Sequence, residues 1–242
     1  MNSVFNDDKT FETFIEDDSN CLALAASREI AGRKLTYNPL TIYGETGCGK
    51  THLLMAIKAE NEKIHHEKKV GYFTTESIVA DFLADACKFD YKPNLFGKKC
   101  LEYDVILIDE IEDLRGKEAT QEATFHLLNR LVGQDKKVVL ACSIPLKELP
   151  TLSERLLTRF ECGLICGISI ATPELREKYT ARTAKELQLQ LSDEVIKCFS
   201  ENHNKLVSIR GKLLTLKLIA GDEDLTVERI QEIIKEGENE NE

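Results

Sequence analysis

No apolar run in this 242-residue chain approaches the ~20 residues a bilayer span requires. The opening Met-Asn-Ser-Val-Phe-Asn-Asp-Asp lacks the basic-then-apolar order of a secretory leader, so the expected compartment is the cytoplasm. Eight cysteines contain no C-x-x-C pair, which removes the commonest zinc and thioredoxin-like signatures and favours reduced, structural thiols. The five histidines show no metal-ligand spacing, and His65-His66, in a Lys/Glu-rich stretch, reads as solvated surface. No internal repeat is present.

What is there describes a core-forming globular chain: hydrophobic residues at 42% and charged residues at 31%. The formal charge is −10, and four of the acids fall in the last seven residues, leaving about −6 on the body. That balance disfavours nonspecific nucleic-acid binding outside a local basic patch.

Apolar runs of strand length alternate with helical patterns. Strands are expected at Pro39–Tyr43, Val70–Phe73, Val105–Ile108, Val138–Cys142 and Leu164–Ile170, and helices over 51–61, 77–88 and 120–132. This alternation predicts a five-stranded parallel sheet with helices on both faces. After Thr172 only helical stretches follow, near 173–190, 192–202, 206–220 and 226–236. The expected organisation is therefore an α/β domain at 1–171, a helical domain at 172–236 and a disordered acidic tail at 237–242.

Gly44-Glu45-Thr46-Gly47-Cys48-Gly49-Lys50-Thr51 fits the phosphate-loop pattern G-x-x-x-x-G-K-[ST], between an expected strand and an expected helix. Glycines let backbone N–H groups wrap phosphates, the helix N-terminus adds positive dipole, Lys50 supplies charge, and the Thr51 hydroxyl can reach Mg²⁺. About 60 residues on, Val105–Ile108 delivers Asp109 and Glu110 at the carboxyl end of a buried strand. An aspartate there can hold the Mg²⁺ shell, and the adjacent glutamate can orient a water for attack. Ser143, at the end of the fourth strand, is a polar group able to sense a γ-phosphate. Together these features indicate a P-loop ATPase using ATP/ADP and Mg²⁺.

Three stretches carry a resemblance: NPLTIYGETGCGKTHLLMAI (38–57), YDVILIDEIEDLRGKEATQEATFHLLNRL (103–131) and KKVVLACSIPLKELPTLSERLLTRFECGL (136–164). With FETFIEDDSN (11–20) before them, they resemble the AAA+ module of the bacterial replication initiator DnaA and its Hda-like relatives, over roughly residues 10–220. The resemblance implies a three-layer AAA+ fold with a helical lid and nucleotide bound at their junction, and it assigns roles. Ile15 and Asn20 would flank the adenine, His52 would belong to the nucleotide site, and Ser143 would act as the γ-phosphate sensor, where initiators usually carry aspartate. Arg159 would be the arginine finger that reaches a neighbouring subunit's nucleotide. Arg210, in VSIRGKLLTL, would be the lid arginine that reports nucleotide state. Arg155 and Arg159, four apart, would share one face of a short helix.

The resemblance also implies an extra helical wedge within 76–103 that engages single-stranded DNA. Val79 matches an apolar DNA-contacting position and Lys117 a phosphate-contacting lysine. Lys88, Lys92, Lys98 and Lys99, interleaved with Phe89, Tyr91 and Phe96, add charge and stacking surface. Ala119 stands where the family commonly has arginine. The expected function is ATP-dependent assembly in initiation of DNA replication, with slow hydrolysis resetting the switch. Expected partners are further copies of the chain through the arginine-finger face, single-stranded DNA and other initiation proteins. A regulator that stimulates initiator hydrolysis and a helicase loader are the alternatives.

Overall fold

The computed structural model describes residues 9–32, 37–86, 99–149 and 151–220. Five strands, β1 (Leu40–Tyr43), β2 (Val70–Thr74), β3 (Val105–Asp109), β4 (Lys137–Cys142) and β5 (Leu164–Gly167), form one sheet in the order β2-β3-β4-β1-β5. Every pairing is parallel, as the alternating pattern predicts. Helices α1 (Cys21–Ala31), α2 (Lys50–Ile64), α3 (Thr75–Ala86), α4 (Glu118–Gly133) and α5 (Glu154–Glu161) accompany the sheet.

Strands β3 and β4 are apolar at successive positions because both sheet faces are covered there. Val105 and Leu107 of β3 face one core with Leu40, Ile42 and Leu53, whereas Ile106 and Ile108 face the other with Leu128, Leu156 and Phe160. Strand β3 is buried along its whole length, so its last residue, Asp109, is a carboxylate only 3% exposed. Two-sided burial thus carries an acid to the rim of the sheet.

Helix α1 was not expected from the sequence. Its buried positions Ala23, Leu24, Ser27, Ile30 and Ala31 follow helical spacing, yet Leu22 is 56% exposed, so the apolar pattern continues around the helix and blurs the period. The expected strand over 164–170 is shorter, ending at Gly167. His65 is buried, not solvated, its amide closing α2 on the Asn61 carbonyl at 2.8 Å; only His66 of the pair is exposed. The helix expected at 226–236 and the tail lie outside the described residues.

The described residues divide into two compact units, residues 9–14 with 20–168, and residues 15–19 with 169–220. The second contains α6 (Pro173–Glu186), α7 (Asp193–Glu201) and α8 (Leu206–Ala220). Thr172 and Ser192 cap the first two of these helices, accepting from Leu175 N and Val195 N at 3.1 and 3.4 Å. Leu187, Val195, Phe199, Ile209, Leu213 and Leu216 make its core.

Gly163, just before β5, leaves no room for a side chain, because a Cβ there would lie 1.8 Å from the Pro39 carbonyl oxygen. Gly163→Ala should therefore lower stability by about 1–3 kcal/mol, as backbone overpacking does. Gly133→Ala, at a helix end with open space, should cost nothing. Urea denaturation of the two variants beside the parent chain checks the contrast.

Candidate nucleotide site

The loop between β1 and α2 is shaped by close backbone approaches. A Cβ on Gly44 would sit 2.6 Å from the Ile168 carbonyl oxygen and 2.8 Å from Cys48 Sγ. Gly49 has φ of 110°, a left-handed conformation, and a Cβ on it would press on Phe14 at 2.9 Å. The loop is tied to the sheet by Gly44 N donating to the Cys142 carbonyl at 3.1 Å. Helix α2 then opens at Lys50 with no side chain capping it, leaving first-turn amides to face the loop as an anion-binding terminus. Lys50 Nζ donates to the carbonyls of Gly44 at 2.6 Å and Glu45 at 3.0 Å, folded along the same concave surface. Burial pushes the Cys48 thiol up, so it remains a packing group, while Glu45 and Thr46 are exposed.

Strand order explains how the chemistry converges. In a parallel sheet all carboxyl ends share one rim, and β4 lies between β1 and β3. The phosphate loop, Ser143 and Asp109 therefore emerge side by side. Thr51 Oγ1 donates to Asp109 Oδ2 at 2.7 Å, joining the first turn of α2 to the end of β3. Asp109 Oδ1 accepts from Glu110 N at 3.0 Å. The Asp109 main-chain carbonyl accepts from Thr75 Oγ1 at 3.2 Å. A hydroxyl and a carboxylate brought together this way are the hard oxygen donors Mg²⁺ prefers, and the residues fit that ion.

Two side chains that the sequence reading missed complete the arrangement. Tyr72 of β2 donates its hydroxyl to Asp109 Oδ2 at 3.1 Å, so the oxygen that accepts from Thr51 is also held from the neighbouring strand. Burial, with Asp109 beside it, holds the Tyr72 phenol far above its ordinary range, so it stays a donor. Glu112 Oε1 accepts from Ser143 N at 3.2 Å, bracing the tip of β4 against the turn that follows β3. The only available signal for Tyr72 was a polar aromatic in a strand adjacent to the acid-bearing one; Glu112 was hidden among four acids in the five positions 109–113.

Glu110 has φ of 61°, a left-handed conformation unusual for a side-chain-bearing residue, and it opens a short turn over Ile111–Leu114. Its carboxyl is raised above the ordinary value by desolvation first, then by Asp109, Asp113, Glu112 and Glu76.

The remaining expected residues are distributed as follows. Arg159 lies on α5, half-buried, and its buried Nε makes no hydrogen bond among the described residues. Arg155 on the same helix instead pairs with Glu122 at 3.3 Å and stacks 4.4 Å over Phe125. His52 is engaged by the chain itself, at 2.9 Å from the Thr10 carbonyl and 3.3 Å from Thr13 Oγ1, edge-on to Phe14. Asn20 is buried just before α1, its carbonyl accepting from Leu24 N at 3.0 Å. Ile15 and Arg210 belong to the second unit, where Arg210 is 3.7 Å from Glu186. Val79 is half-buried on α3, and exposed Lys117 precedes α4. Lys88, Lys92, Lys98, Phe89, Tyr91 and Phe96 lie outside the described residues.

A phosphate loop and a strand-end acid on neighbouring tips of a five-stranded parallel sheet define the class: a P-loop nucleotide-binding ATPase module of AAA+ type. The family model for the bacterial DnaA ATPase domain matches residues 5–167. The chromosomal replication initiator protein DnaA of Caldanaerobacter subterraneus subsp. tengcongensis is 37% identical over 240 residues, covering 96% of this chain and 54% of that protein. Domain III of the Thermotoga maritima replication initiation protein DnaA superposes with a TM-score of 0.87 at 30% identity, covering 96% of this chain and 97% of that one. A replication initiator DnaA bound to AMPPCP and single-stranded DNA superposes at 0.78 with 31% identity, covering 89% of this chain and 66% of that one. The chain belongs to the bacterial DnaA ATPase domain family, and it spans about half the length of the curated relatives it matches.

Because the Glu110 carboxyl is raised, the folded state binds its proton more tightly than the unfolded chain does. Its ionisation then costs stability as pH climbs from the unfolded value through the folded one. In metal-free protein Glu110→Gln should melt higher than the parent at pH 7, and the gap should close as pH falls below that window. Thermal denaturation across a pH series reads both.

Proposed function

We propose that this chain is the ATP-controlled switch of a replication initiator, working in the cytoplasm on the chromosome. The observation that carries the proposal is the Thr51–Asp109 hydrogen bond beside Lys50, which joins a phosphate cradle to a strand-end acid. The DnaA relative solved with AMPPCP and single-stranded DNA supports the choice of ligands.

In this reading the amides of Gly44–Gly49 and the first turn of α2 wrap the triphosphate of ATP. Lys50 turns its ammonium from the Gly44 and Glu45 carbonyls to the phosphates. Thr51 and Asp109 hold Mg²⁺, which neutralises phosphate charge when bound, and Tyr72 keeps the Asp109 carboxylate in place. Glu110 orients the attacking water and accepts its proton. Ser143, braced by Glu112, donates toward the γ-phosphate. Ile15, Asn20 and the segment that His52 holds frame the base. Residues 172–236 act as a lid, from which Arg210 reports whether ATP or ADP is present.

Arg159 acts in trans. Its half-buried place on the short helix α5, beside Arg155, supports a guanidinium that a neighbouring copy could meet. Hydrolysis is slow because a lone protomer lacks that charge at its γ-phosphate. The ATP-bound assembly then places Val79 and Lys117 along single-stranded DNA, apolar contact beside phosphate neutralisation. With a net charge of −10, the chain would depend on that local surface and not on overall attraction.

Lys50→Ala should weaken ATP binding by about 100-fold, since charge-assisted phosphate contacts are worth ~1.5–3 kcal/mol each. Equilibrium titration with fluorescent ATP reads this, and unchanged affinity would overturn the cradle. A labelled oligothymidine should bind the parent chain with ATP and not with ADP, and should lose that binding in Lys117→Ala. Equal retention with both nucleotides would contradict the switch.

A further inference from the structure

Gln121 sits in the first turns of α4, 2% exposed, and spends its amide on two other chain segments. Nε2 donates to the Leu114 carbonyl and to the Thr151 carbonyl, each at 2.9 Å, and Oε1 accepts from Ser153 N at 2.8 Å. Leu114 closes the turn that follows Asp109 and Glu110. Thr151 and Ser153 lead into α5, the helix bearing Arg159.

Leu149 and Leu152 are buried at the entry to α5, but apolar packing sets no hydrogen-bond register there, and polar contacts at the entry are otherwise few among the described residues. Ser153 precedes the helix and its side chain makes no capping hydrogen bond, although its carbonyl accepts from Leu156 N and Leu157 N at 3.0 Å. Thr151 has φ of 67°, a conformation that must be held by its surroundings. The Arg155–Glu122 pair also ties α5 to α4, but both side chains are at least half exposed, where such pairs contribute little. A buried amide with both its donors and its acceptor engaged fixes geometry far more tightly.

We infer that Gln121 is a positioning residue for the arginine-finger helix, and that it ties that helix to the turn carrying the same protomer's hydrolytic acids. The inference rests on the reading of Arg159 as acting on a neighbouring copy's nucleotide. Gln121 touches no nucleotide. It sets where α5 begins, and so where the Arg159 guanidinium lies relative to the rim that carries Asp109. The defect from its loss therefore belongs to the protomer donating the arginine.

Mixing variants separates the two roles. Lys50→Ala supplies an intact finger without a nucleotide site, and Arg159→Ala supplies a nucleotide site without a finger. Their mixture should hydrolyse ATP faster than the sum of the two alone. Gln121→Met added to the Lys50→Ala protomer should cut that restored rate by about tenfold to 100-fold, the scale of a misplaced catalytic group. The same Gln121→Met in the Arg159→Ala protomer should leave the rate within about twofold, which also shows that the substituted chain folds. Gln121→Glu keeps an acceptor for Ser153 and loses both donated bonds, and it should likewise impair only the donor. Equal loss in both arms, or an unimpaired donor with either substitution, would overturn the inference. If the unsubstituted mixture restores nothing, the finger reading itself fails, a distinct result.

Discussion

The hydrogen bond from Thr51 to Asp109 closes a 58-residue separation at 2.7 Å, and it exists because β1 and β3 run parallel with β4 between them. A parallel sheet delivers every strand's carboxyl end to one rim. The glycine loop after β1, the serine after β4 and the acids at the end of β3 are therefore neighbours by topology before any side chain is chosen. Burial on both faces fixes the strands, and a 3%-exposed aspartate at the end of β3 is the price of carrying a carboxylate to that rim. Tyr72, Thr51 and the Glu110 amide offset it with hydrogen bonds to the carboxylate.

The same rim stores tension. Glu110 is held at positive φ, and its carboxyl is raised by desolvation first and then by four other acids nearby. A divalent cation shared by Thr51 and Asp109 would relieve much of that repulsion, which couples metal-nucleotide binding to the stability of the turn over Ile111–Leu114. That turn also contacts Gln121 through Leu114, and through Gln121 the approach to α5. Electrostatics at the strand-end acids are thus mechanically next to the helix that bears Arg159.

Much of this was legible in the sequence. Strands β3 and β4 appear as the short apolar runs Val105–Ile108 and Val138–Cys142 because two-sided burial leaves no polar alternation to confuse them. Gly44 to Thr51 was readable because the loop's chemistry demands particular residues at fixed spacing. Helix α1 was not, since exposed Leu22 extends its apolar surface beyond the buried stripe. His65 was misjudged because its neighbours in sequence are charged while its environment is set by the end of α2. Tyr72 and Gln121 could not be found by pattern: Tyr72 reaches Asp109, 37 positions on, and Gln121 reaches Thr151, 30 positions on, through contacts that only the tertiary structure brings about.

The proposed grip on a triphosphate and its metal is joint, by the loop after β1 and the acid that ends β3. Calorimetric titration of ATP into the chain, with and without Mg²⁺, tests it most directly when repeated on Asp109→Asn. Mg²⁺ should tighten binding to the parent chain, and this gain should disappear in the variant. Binding that is indifferent to Mg²⁺ in the parent, or an undiminished gain in Asp109→Asn, would contradict it.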